Sequence, residues 1–572
     1  MVNAPSMNSA QQTAVADEQI ARSATLRDIR EVAGSIGLES SDLETHGPYA
    51  AKVSATAIDR LAGRPKGRYI HVTSMTPMLG WEDPTITTIA LADALRQLGK
   101  TAVCCLQQPS LAWVLTGGPI RAGAGRCQVV PRDVFALGLT GDLNAVAAAH
   151  QWLSALADGM LVRAGPEGLD PRRMVLRRCQ DVADNALRHA VVGLGGGVPR
   201  ETGFDSTPSS EVMAILTLSA SQAELRQRLG RIVVGYNQHE LPVFAETVKA
   251  AGGMAVLLRD ALRPNLMQTL EGTAVFVHGS NAIDLSHGGT SVLADRLALR
   301  CCEYVVTTSV AGAELGLEKF CDIKCRASGL SPDAVVLDAT VRGVKYQSGR
   351  YRGHNDPRLR EPSVQAVKEG SANLAKQLEN VRYFGLPCVV VIHRDPNDTQ
   401  EELQVLASVA NVSGATTTVV CSYRDSGGRG AIELAQAVIA ACEAGSLGFS
   451  YLYETNWPIT QKIETIATTL YNAGRVQYSP RAAAAIERYT QLGWQELTIC
   501  MSKTVYSLSH DPRLLGRPYD YVLPVEDVRV AAGAGFLIVQ LGPVHPLSAP
   551  ARRPRAVDMD LTDDGWVKGL FQ

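Results

Sequence analysis

From residue 67 onward, short apolar runs alternate with stretches of helical periodicity. Most of the runs are near-continuous in Val, Ile and Leu, with little alternation of apolar and polar positions. Such runs are typical of parallel strands that are buried on both faces of a sheet. They are GRYIHVTSM (67–75), TAVCCL (101–106), AVVGLGGG (190–197), RIVVGYN (231–237), AVFVHG (274–279), EYVVTTS (303–309) and DAVVLDATV (333–341). The pattern predicts an α/β fold, in which ligands bind at the carboxyl ends of the strands.

The same pattern divides the chain into a tail and three domains. Two later strand patterns, PCVVVIH (387–393) and TTTVVCS (416–422), predict a second α/β domain. The polar stretch 346–363 indicates either a domain boundary or a loop at the rim of an active site. The predicted division is a flexible tail over 1–24, a large α/β domain with a P-loop-like turn over 25–363, the second α/β domain over 364–456 and a smaller C-terminal α+β domain over 457–572.

Composition excludes some classes of partner. The formal net charge is −2 and aromatic residues make up 5% of the chain, so neither a basic surface nor a base-stacking platform for nucleic acid is expected. No apolar run approaches the length of a membrane helix, and the N-terminal stretch lacks the apolar core of a secretory signal. The 12 cysteines are scattered, and Cys321 and Cys325 are expected to be core thiols rather than metal ligands. We therefore expect a cytoplasmic protein.

The first strand run is joined to a helical pattern by the turn GWEDPTITT (80–88). A strand, a glycine turn and a Thr-rich helix form the layout of a phosphate-binding loop, which needs glycines and a lysine just before Ser or Thr. Here Trp81 and Asp83 stand where glycines are expected, and Pro84 stands where the lysine is expected. Asp followed by Pro is a favoured helix start, so one interpretation is that Asp83 caps its own helix. An altered nucleotide site is the other, since Thr85 keeps a hydroxyl that would hold Mg²⁺.

Longer motifs follow one another along the chain from about residue 25 to the C-terminus. They are VPRETGFD (198–205), SEVMAIL (210–216), RPNLMQTLEGTAVFVHG (263–279), LGLEKFCDIKCR (315–326), DATVRGVK (338–345), SKTVYSLS (502–509) and GRP (516–518). In this order they resemble the formate–tetrahydrofolate ligases, also called 10-formyltetrahydrofolate synthetases. The resemblance implies that ATP phosphorylates formate and that the formyl group then passes to N10 of tetrahydrofolate. It also implies ATP, Mg²⁺ and tetrahydrofolate as cofactors, and a homotetramer.

The resemblance assigns positions around the phosphate groups. The family's phosphate-binding loop has the pattern TP-x-x-x-GEGKTT, and its lysine corresponds to Pro84. The residues of that pattern that remain are Thr76, Pro77, Glu82 and Thr85. The family's next strand ends in REPSLGP, whose arginine helps to hold formyl phosphate; here Gln107 takes that place, while Ser110 remains. Neither a proline nor a neutral amide can neutralise a phosphate, so the resemblance implies that two cations are lost from one site.

The positions that the resemblance assigns to folate are altered as well. Asp395 replaces an aromatic residue that stacks on the pterin in the family, and Tyr423 replaces its companion tryptophan. HPLSAP (545–550) corresponds to the family's TMPGLP segment. The family's glycine-rich loop corresponds to GPIRAGAGR (118–126), without its lysine in register, whereas LTGD keeps Asp142.

Four further residues match retained positions of the family near the cleft. His278 and His287 follow a predicted strand and either bind a ligand or form a structural turn. Lys345 and Lys503 either bind an anionic ligand or form partly buried salt bridges.

These observations lead to three hypotheses. The first is a divergent family protein without the ligase activity, a pseudoenzyme that acts as a structural or regulatory partner and holds no cofactor. The second is an enzyme of the same fold with an altered substrate. The third is a functional formate–tetrahydrofolate ligase of one-carbon metabolism. Under the first, the expected partner is another copy of the chain, in a dimer or tetramer, or another member of the family.

Overall fold

The computed structural model describes residues 17–571 apart from 79–83, 119, 164–167, 281, 283, 284, 446, 447 and 543–551. Its largest feature is a 12-stranded sheet. The strands that come first in the chain are β1 (Leu43–Thr45), β2 (Ala51–Val53), β3 (Arg68–Ser74), β4 (Ala102–Leu106), β5 (Gly123–Ala124) and β6 (Cys127–Val130). A second group of strands, described below, separates these from β14 (Asn265–Thr269), β15 (Ala274–Val277), β16 (Tyr304–Gly312), β17 (Ala334–Ala339), β18 (Cys388–His393) and β19 (Thr417–Cys421).

The order across this sheet is β1-β2-β14-β15-β4-β16-β3-β17-β18-β19, with β6 beside β14 and β5 beside β6. The strands from β15 to β19 in this order are all parallel to one another, whereas β14 pairs antiparallel with β15. The predicted α/β fold with a mostly parallel sheet is therefore confirmed. Strands β18 and β19, which fall in the predicted second domain, extend the sheet of the first.

Along the chain, the residues between β6 and β14 form a separate group of short strands. These are β7 (Leu169–Met174), β8 (Arg178–Cys179), β9 (Ala190–Val192), β10 (Arg200–Thr202), β11 (Phe204–Asp205), β12 (Val233–Asn237) and β13 (Pro242–Phe244). Two runs predicted as buried parallel strands belong here instead. AVVGLGGG supplies β9, which pairs only antiparallel with β10 and leaves Val191 61% exposed. RIVVGYN supplies β12, in a three-stranded antiparallel sheet with β7 and β13. Apolar content alone does not distinguish these local pairings from the central sheet.

Helices cover both faces of the sheet. The α-helices that lie wholly within the described residues, on the sheet and elsewhere, are α1 (Ile29–Ser35), α2 (Thr56–Arg60), α3 (Pro84–Gln97), α4 (Leu111–Thr116), α5 (Arg132–Ala136), α6 (Asp142–Arg163), α7 (Glu211–Leu218), α8 (Gln222–Gly230), α9 (Ala251–Leu257), α10 (Val292–Cys301), α11 (Arg326–Ser328), α12 (Val341–Gln347), α13 (Val364–Tyr383), α14 (Gln400–Val412), α15 (Tyr423–Ser426), α16 (Ile432–Ala444), α17 (Ile459–Thr469) and α18 (Pro480–Gln491). Successive strand residues point to opposite faces. On β17, Leu337 packs in the core that contains α13, whereas Val336 packs in the core that contains α3.

The C-terminal part adds small sheets to this frame. Its strands are β20 (Ala473–Tyr478), β21 (Thr498–Ser502), β22 (Tyr521–Val525), β23 (Asp527–Ala531), β24 (Phe536–Gln540), β25 (Asp560–Leu561) and β26 (Val567–Lys568).

All 12 cysteines are buried and unpaired, including Cys321 and Cys325. Within the described residues, the helices lack the length or apolarity needed to cross a membrane, and His, Cys, Asp and Glu side chains do not assemble in threes or more at a spacing that suits a metal ion.

Candidate functional site

The carboxyl ends of the central strands bring together most of the site residues that the sequence predicts. β3 lies between β16 and β17, and the predicted phosphate-binding turn follows it. The helix after that turn, α3, begins at Pro84, so the residue in the lysine position offers neither a charge nor an N–H group. Thr85 is buried in the first turn of α3. Trp81, Glu82 and Asp83 lie outside the described residues, so capping by Asp83 stays a prediction.

Buried amide side chains fix Thr76, the first residue of that turn; Pro77 beside it is half-buried. Asn373 on α13 accepts from the Thr76 backbone N–H at 3.1 Å and donates to its Oγ1 at 2.9 Å. Gln377, one helical turn further along, donates to the same Oγ1 at 3.0 Å. Gln347 at the end of α12 donates to the Thr76 carbonyl at 3.2 Å. The start of the turn is therefore held by two helices.

The network continues from Gln377 to a buried ion pair. Gln377 Nε2 donates to Glu314 Oε2 at 2.6 Å, and Glu314 Oε1 lies 3.3 Å from Lys503 Nζ. Lys503 also donates to the carbonyl of Ser507 at 2.6 Å. Both charged side chains are 0% exposed, and burial lowers the pKa of Lys503 although Glu314 opposes that shift. Of the two predictions for Lys503, the structure shows the salt bridge.

Lys345 and Asp142 are likewise engaged within the protein. Lys345 Nζ lies 2.9 Å from Glu402 Oε1, and both side chains are buried. Asp142 begins α6, pairs with Lys52 at 2.5 Å and accepts from Asn265 Nδ2 at 2.7 Å. Because each charge already has a buried counter-charge, neither residue presents a free charge to a ligand.

The two histidines differ in how fully their rings are bonded. His278 bonds Ser291 Oγ at 2.6 Å through Nδ1 and the carbonyl of Ala261 at 2.7 Å through Nε2, so both of its ring nitrogens are engaged within the protein. His287 bonds only the carbonyl of Ser280, at 3.0 Å through Nε2; its Nδ1 is buried and has no partner among the described residues. Burial lowers the pKa of both rings to about 4, so both are neutral at pH 7.

The side chains of Gln107 and Ser110, which follow β4, are hydrogen-bonded within the protein. Gln107 Nε2 donates to the carbonyl of Gly289 at 2.6 Å, which ties the end of β4 to the loop before α10. Ser110 caps α4 by accepting from Trp113 N at 3.4 Å, and it donates to Asp181. The amide of Gln107, which stands in the predicted arginine position, therefore links two loops by a hydrogen bond.

The two residues in the predicted folate positions do not face each other across an open pocket. Tyr423 is 0% exposed, stacks on His393 with ring centroids 4.4 Å apart and hydrogen-bonds Thr87 Oγ1 at 2.6 Å. Burial raises the pKa of Tyr423 well above its usual value, so the phenol stays protonated. Asp395 lies in a turn, where its Oδ1 accepts from the Asn397 backbone N–H at 2.9 Å. The third predicted folate element, 545–550, lies outside the described residues.

One feature of this edge was missed from the sequence. Near the end of β16, Ala311 has φ 79°, a left-handed backbone that is unusual for a residue other than glycine. Two π-helical segments follow, Ala313–Leu317 and Phe320–Cys325; such backbone is rare and frequent at functional sites. Lys319 Nζ and both oxygens of Glu318 are buried without a partner among the described residues. The sequence signal is the set of charged residues interspersed among apolar ones over 314–324, which include Glu318 and Lys319.

Comparison with known proteins identifies the family. A family model described as formate–tetrahydrofolate ligase matches residues 15–571. The chain belongs to the formate–tetrahydrofolate ligase family. A formate–tetrahydrofolate ligase of Roseiflexus castenholzii is 46% identical over 563 residues, which cover 97% of this chain and 99% of that one. Proteins with the same name from Paracoccus denitrificans (44% over 560 residues, 97% and 100%) and Saccharopolyspora erythraea (43% over 567 residues, 98% and 100%) are also similar.

Family membership confirms the resemblance drawn from the motifs and makes one-carbon metabolism the setting of the chain. The named relatives favour the third hypothesis, a functional formate–tetrahydrofolate ligase, over the first. The described residues of the cleft supply a different observation. Neither position in which the ligase family carries a phosphate-binding cation has one here, and the two nearby lysines singled out from the sequence are paired with buried carboxylates.

Proposed function

We propose that this chain is a formate–tetrahydrofolate ligase family protein that has lost ATP-dependent formyl transfer and acts as a structural or regulatory partner. The absence of a free cation at the two phosphate positions, Pro84 and Gln107, carries the proposal. An ATP triphosphate needs such charges, because desolvating it without them is costly. Lys345 and Lys503 cannot substitute without breaking buried ion pairs.

A functional ligase is the second candidate, and the relatives favour it. Sequence identity of 43–46% over nearly the whole chain is shared with proteins named for that activity. Under this candidate the phosphates would be held by backbone N–H groups of the turn before α3 and by Thr85, with Mg²⁺ and ATP as cofactors. ATP affinity separates the two candidates directly.

We predict that the protein binds ATP no more tightly than millimolar, which corresponds to a binding free energy weaker than about −4 kcal/mol. The physical reason is the loss of both cations at Pro84 and Gln107. Titration calorimetry of the full chain with ATP and Mg²⁺ measures this. A Pro84→Lys, Gln107→Arg double variant is the matched comparison and is expected to bind more tightly. Micromolar ATP affinity in the unaltered chain would contradict this prediction and favour the second candidate, the functional ligase.

Self-association is part of the proposal. The proposed surface is formed by the part of the chain that connects β6 to β14 in sequence. Many of the exposed large apolar side chains among the described residues fall within 142–262: Trp152, Val162, Val175, Val182, Val191, Leu194, Leu241, Val256 and Leu257. The two-stranded sheets β8/β11 and β9/β10 stand alone there. The β8/β11 pair is parallel and the β9/β10 pair is an antiparallel hairpin. Isolated two-stranded sheets of this size are marginal in water, so a covering partner would stabilise them. The proposed partner is a second copy of the chain.

We therefore predict a dimer or larger oligomer in light scattering of the purified chain. Leu194→Asp, at a position that is 77% exposed, is expected to shift the mass toward the monomer. Val412→Asp is the matched control, because Val412 is 87% exposed but lies on α14, away from these sheets. A monomeric wild-type protein, or equal effects of the two variants, would argue against this surface.

A further inference from the structure

The N-terminal segment places one carboxylate among several cationic and N–H groups. Residues 17–22 are helical, and Asp17 is only 8% exposed although it lies in the predicted flexible tail. Its Oδ1 accepts from the Gly125 backbone N–H at 2.8 Å. Both of its carboxylate oxygens contact Arg424 Nη2, at 3.2 and 3.0 Å. Its main-chain carbonyl accepts from Gln128 Nε2 at 2.9 Å. Asp17 is thus bound as an anionic ligand would be.

The loop that receives Asp17 is shaped for this close approach. Gly123 and Gly125 have φ values of +81° and +59°, a region that favours glycine. A Cβ on Gly125 would come within 2.0 Å of the Arg424 carbonyl oxygen. This loop is part of the GPIRAGAGR stretch, which corresponds to a glycine-rich loop of the family. Glycine therefore lets a backbone N–H and a guanidinium converge on one anion.

Positive charge exceeds negative charge around this carboxylate. The Nε and Nη1 atoms of Arg132 are buried and have no hydrogen-bond partner among the described residues. Burial lowers the pKa of Arg132 to about 10; the charges of Asp17 and Glu18 oppose that shift, and the charges of Arg555 and Arg424 add to it. The Arg132 guanidinium lies 4.0 Å from the centre of the Phe571 ring. A buried guanidinium without a hydrogen-bonded anion is costly, so this arrangement favours a further oxyanion.

We propose that Gly125, Arg132 and Arg424 form an oxyanion-binding site, which Asp17 fills in the absence of a ligand. The ligand class is a small molecule with a phosphate or carboxylate group, since both match the fork of a guanidinium. A polyanion satisfies Arg132 as well as Arg424, which a single carboxylate does not. Because Asp17 is tethered, it competes at a high effective concentration, and the ligand must displace it. Binding of such an anion would release the segment 17–22 from this site.

The test is titration calorimetry of the full chain with pyrophosphate and, separately, with citrate, at constant ionic strength. In Asp17→Asn, which removes the competing charge, the affinity for one of the two anions is expected to rise about tenfold. Adding Arg424→Gln to that variant is expected to abolish the gain. Glu18→Gln is the matched comparison: Glu18 pairs with Arg22 and makes no hydrogen bond to the site, but its charge also acts on Arg132, so a smaller gain in affinity than in Asp17→Asn is expected. Tighter binding of pyrophosphate alone assigns a phosphate ligand, and of citrate alone a carboxylate ligand.

Thermal unfolding keeps the proposal testable if Asp17→Asn is less stable. The site predicts that the anion raises the melting temperature of Asp17→Asn more than that of Glu18→Gln. If Asp17 is only a structural contact, its loss lowers the melting temperature and neither anion restores it. Equal affinities in the wild type, Asp17→Asn and the Arg424→Gln double variant would overturn the proposal.

Discussion

Supplied with ATP, formate and tetrahydrofolate, the purified protein is expected to form 10-formyltetrahydrofolate at least about 10⁴-fold more slowly than the Roseiflexus castenholzii relative. Removing one group that stabilises developing charge in a transition state typically costs about 10²–10³ in rate, and here two positions are affected. Pro84 carries no charge, and the Gln107 amide is bonded to Gly289. Product quantified by mass spectrometry over a fixed time, with both proteins at equal concentration, measures the ratio.

The expected loss of activity has two possible causes, the two missing cations or changes throughout the cleft. A variant that restores both cations distinguishes between them. Pro84→Lys with Gln107→Arg is expected to recover ATP binding but only part of the rate, because Tyr423 stays buried and Asp395 replaces the aromatic residue. Ser110→Ala changes the cap of α4 without adding charge and serves as the control. A wild-type rate within tenfold of the relative would contradict the proposed loss of activity and establish the functional ligase.

The central sheet was predictable because its strands are apolar for a physical reason. A parallel strand covered by helices on both faces needs apolar residues at nearly every position, as in the fully buried β4 and, apart from Asp338, β17. The same reasoning failed for β9, since Ala190–Val192 is equally apolar but pairs locally in an exposed hairpin. Burial of such a segment depends on what covers it, and that is a property of tertiary or quaternary structure.

The roles of the charged site residues were not predictable, because their partners lie far away along the chain. Lys345 finds Glu402 57 residues later, and Lys503 finds Glu314 189 residues earlier. A sequence pattern shows that a lysine is present but not whether a carboxylate has already neutralised it. The absence of a positive charge at Pro84 and Gln107, by contrast, follows from the residue types alone and does not depend on any distant partner.

Glu314→Gln is expected to destabilise the protein by about 3–5 kcal/mol. The substitution keeps the shape of the side chain but leaves the Lys503 ammonium 0% exposed without a carboxylate. It also disturbs the bond from Gln377, through which Thr76 is held at the end of β3. Urea unfolding followed by circular dichroism measures the change in the free energy of unfolding. Glu369→Gln is the matched control, because Glu369 pairs with Arg350 on the surface, where such pairs contribute about 0–1 kcal/mol.

The double variant Glu314→Gln, Lys503→Met isolates the ion pair from the rest of the network. Since it removes the buried charge together with its partner, it is expected to be less destabilised than the sum of the two single variants. Nζ of Lys503 also donates to the Ser507 and Thr504 carbonyls, so recovery is expected to be incomplete. If Glu314→Gln costs no more than Glu369→Gln, the pair does not hold the turn after β3. The fixed position of Thr76 would then rest on its direct bonds to Asn373, Gln377 and Gln347, without support from the ion pair.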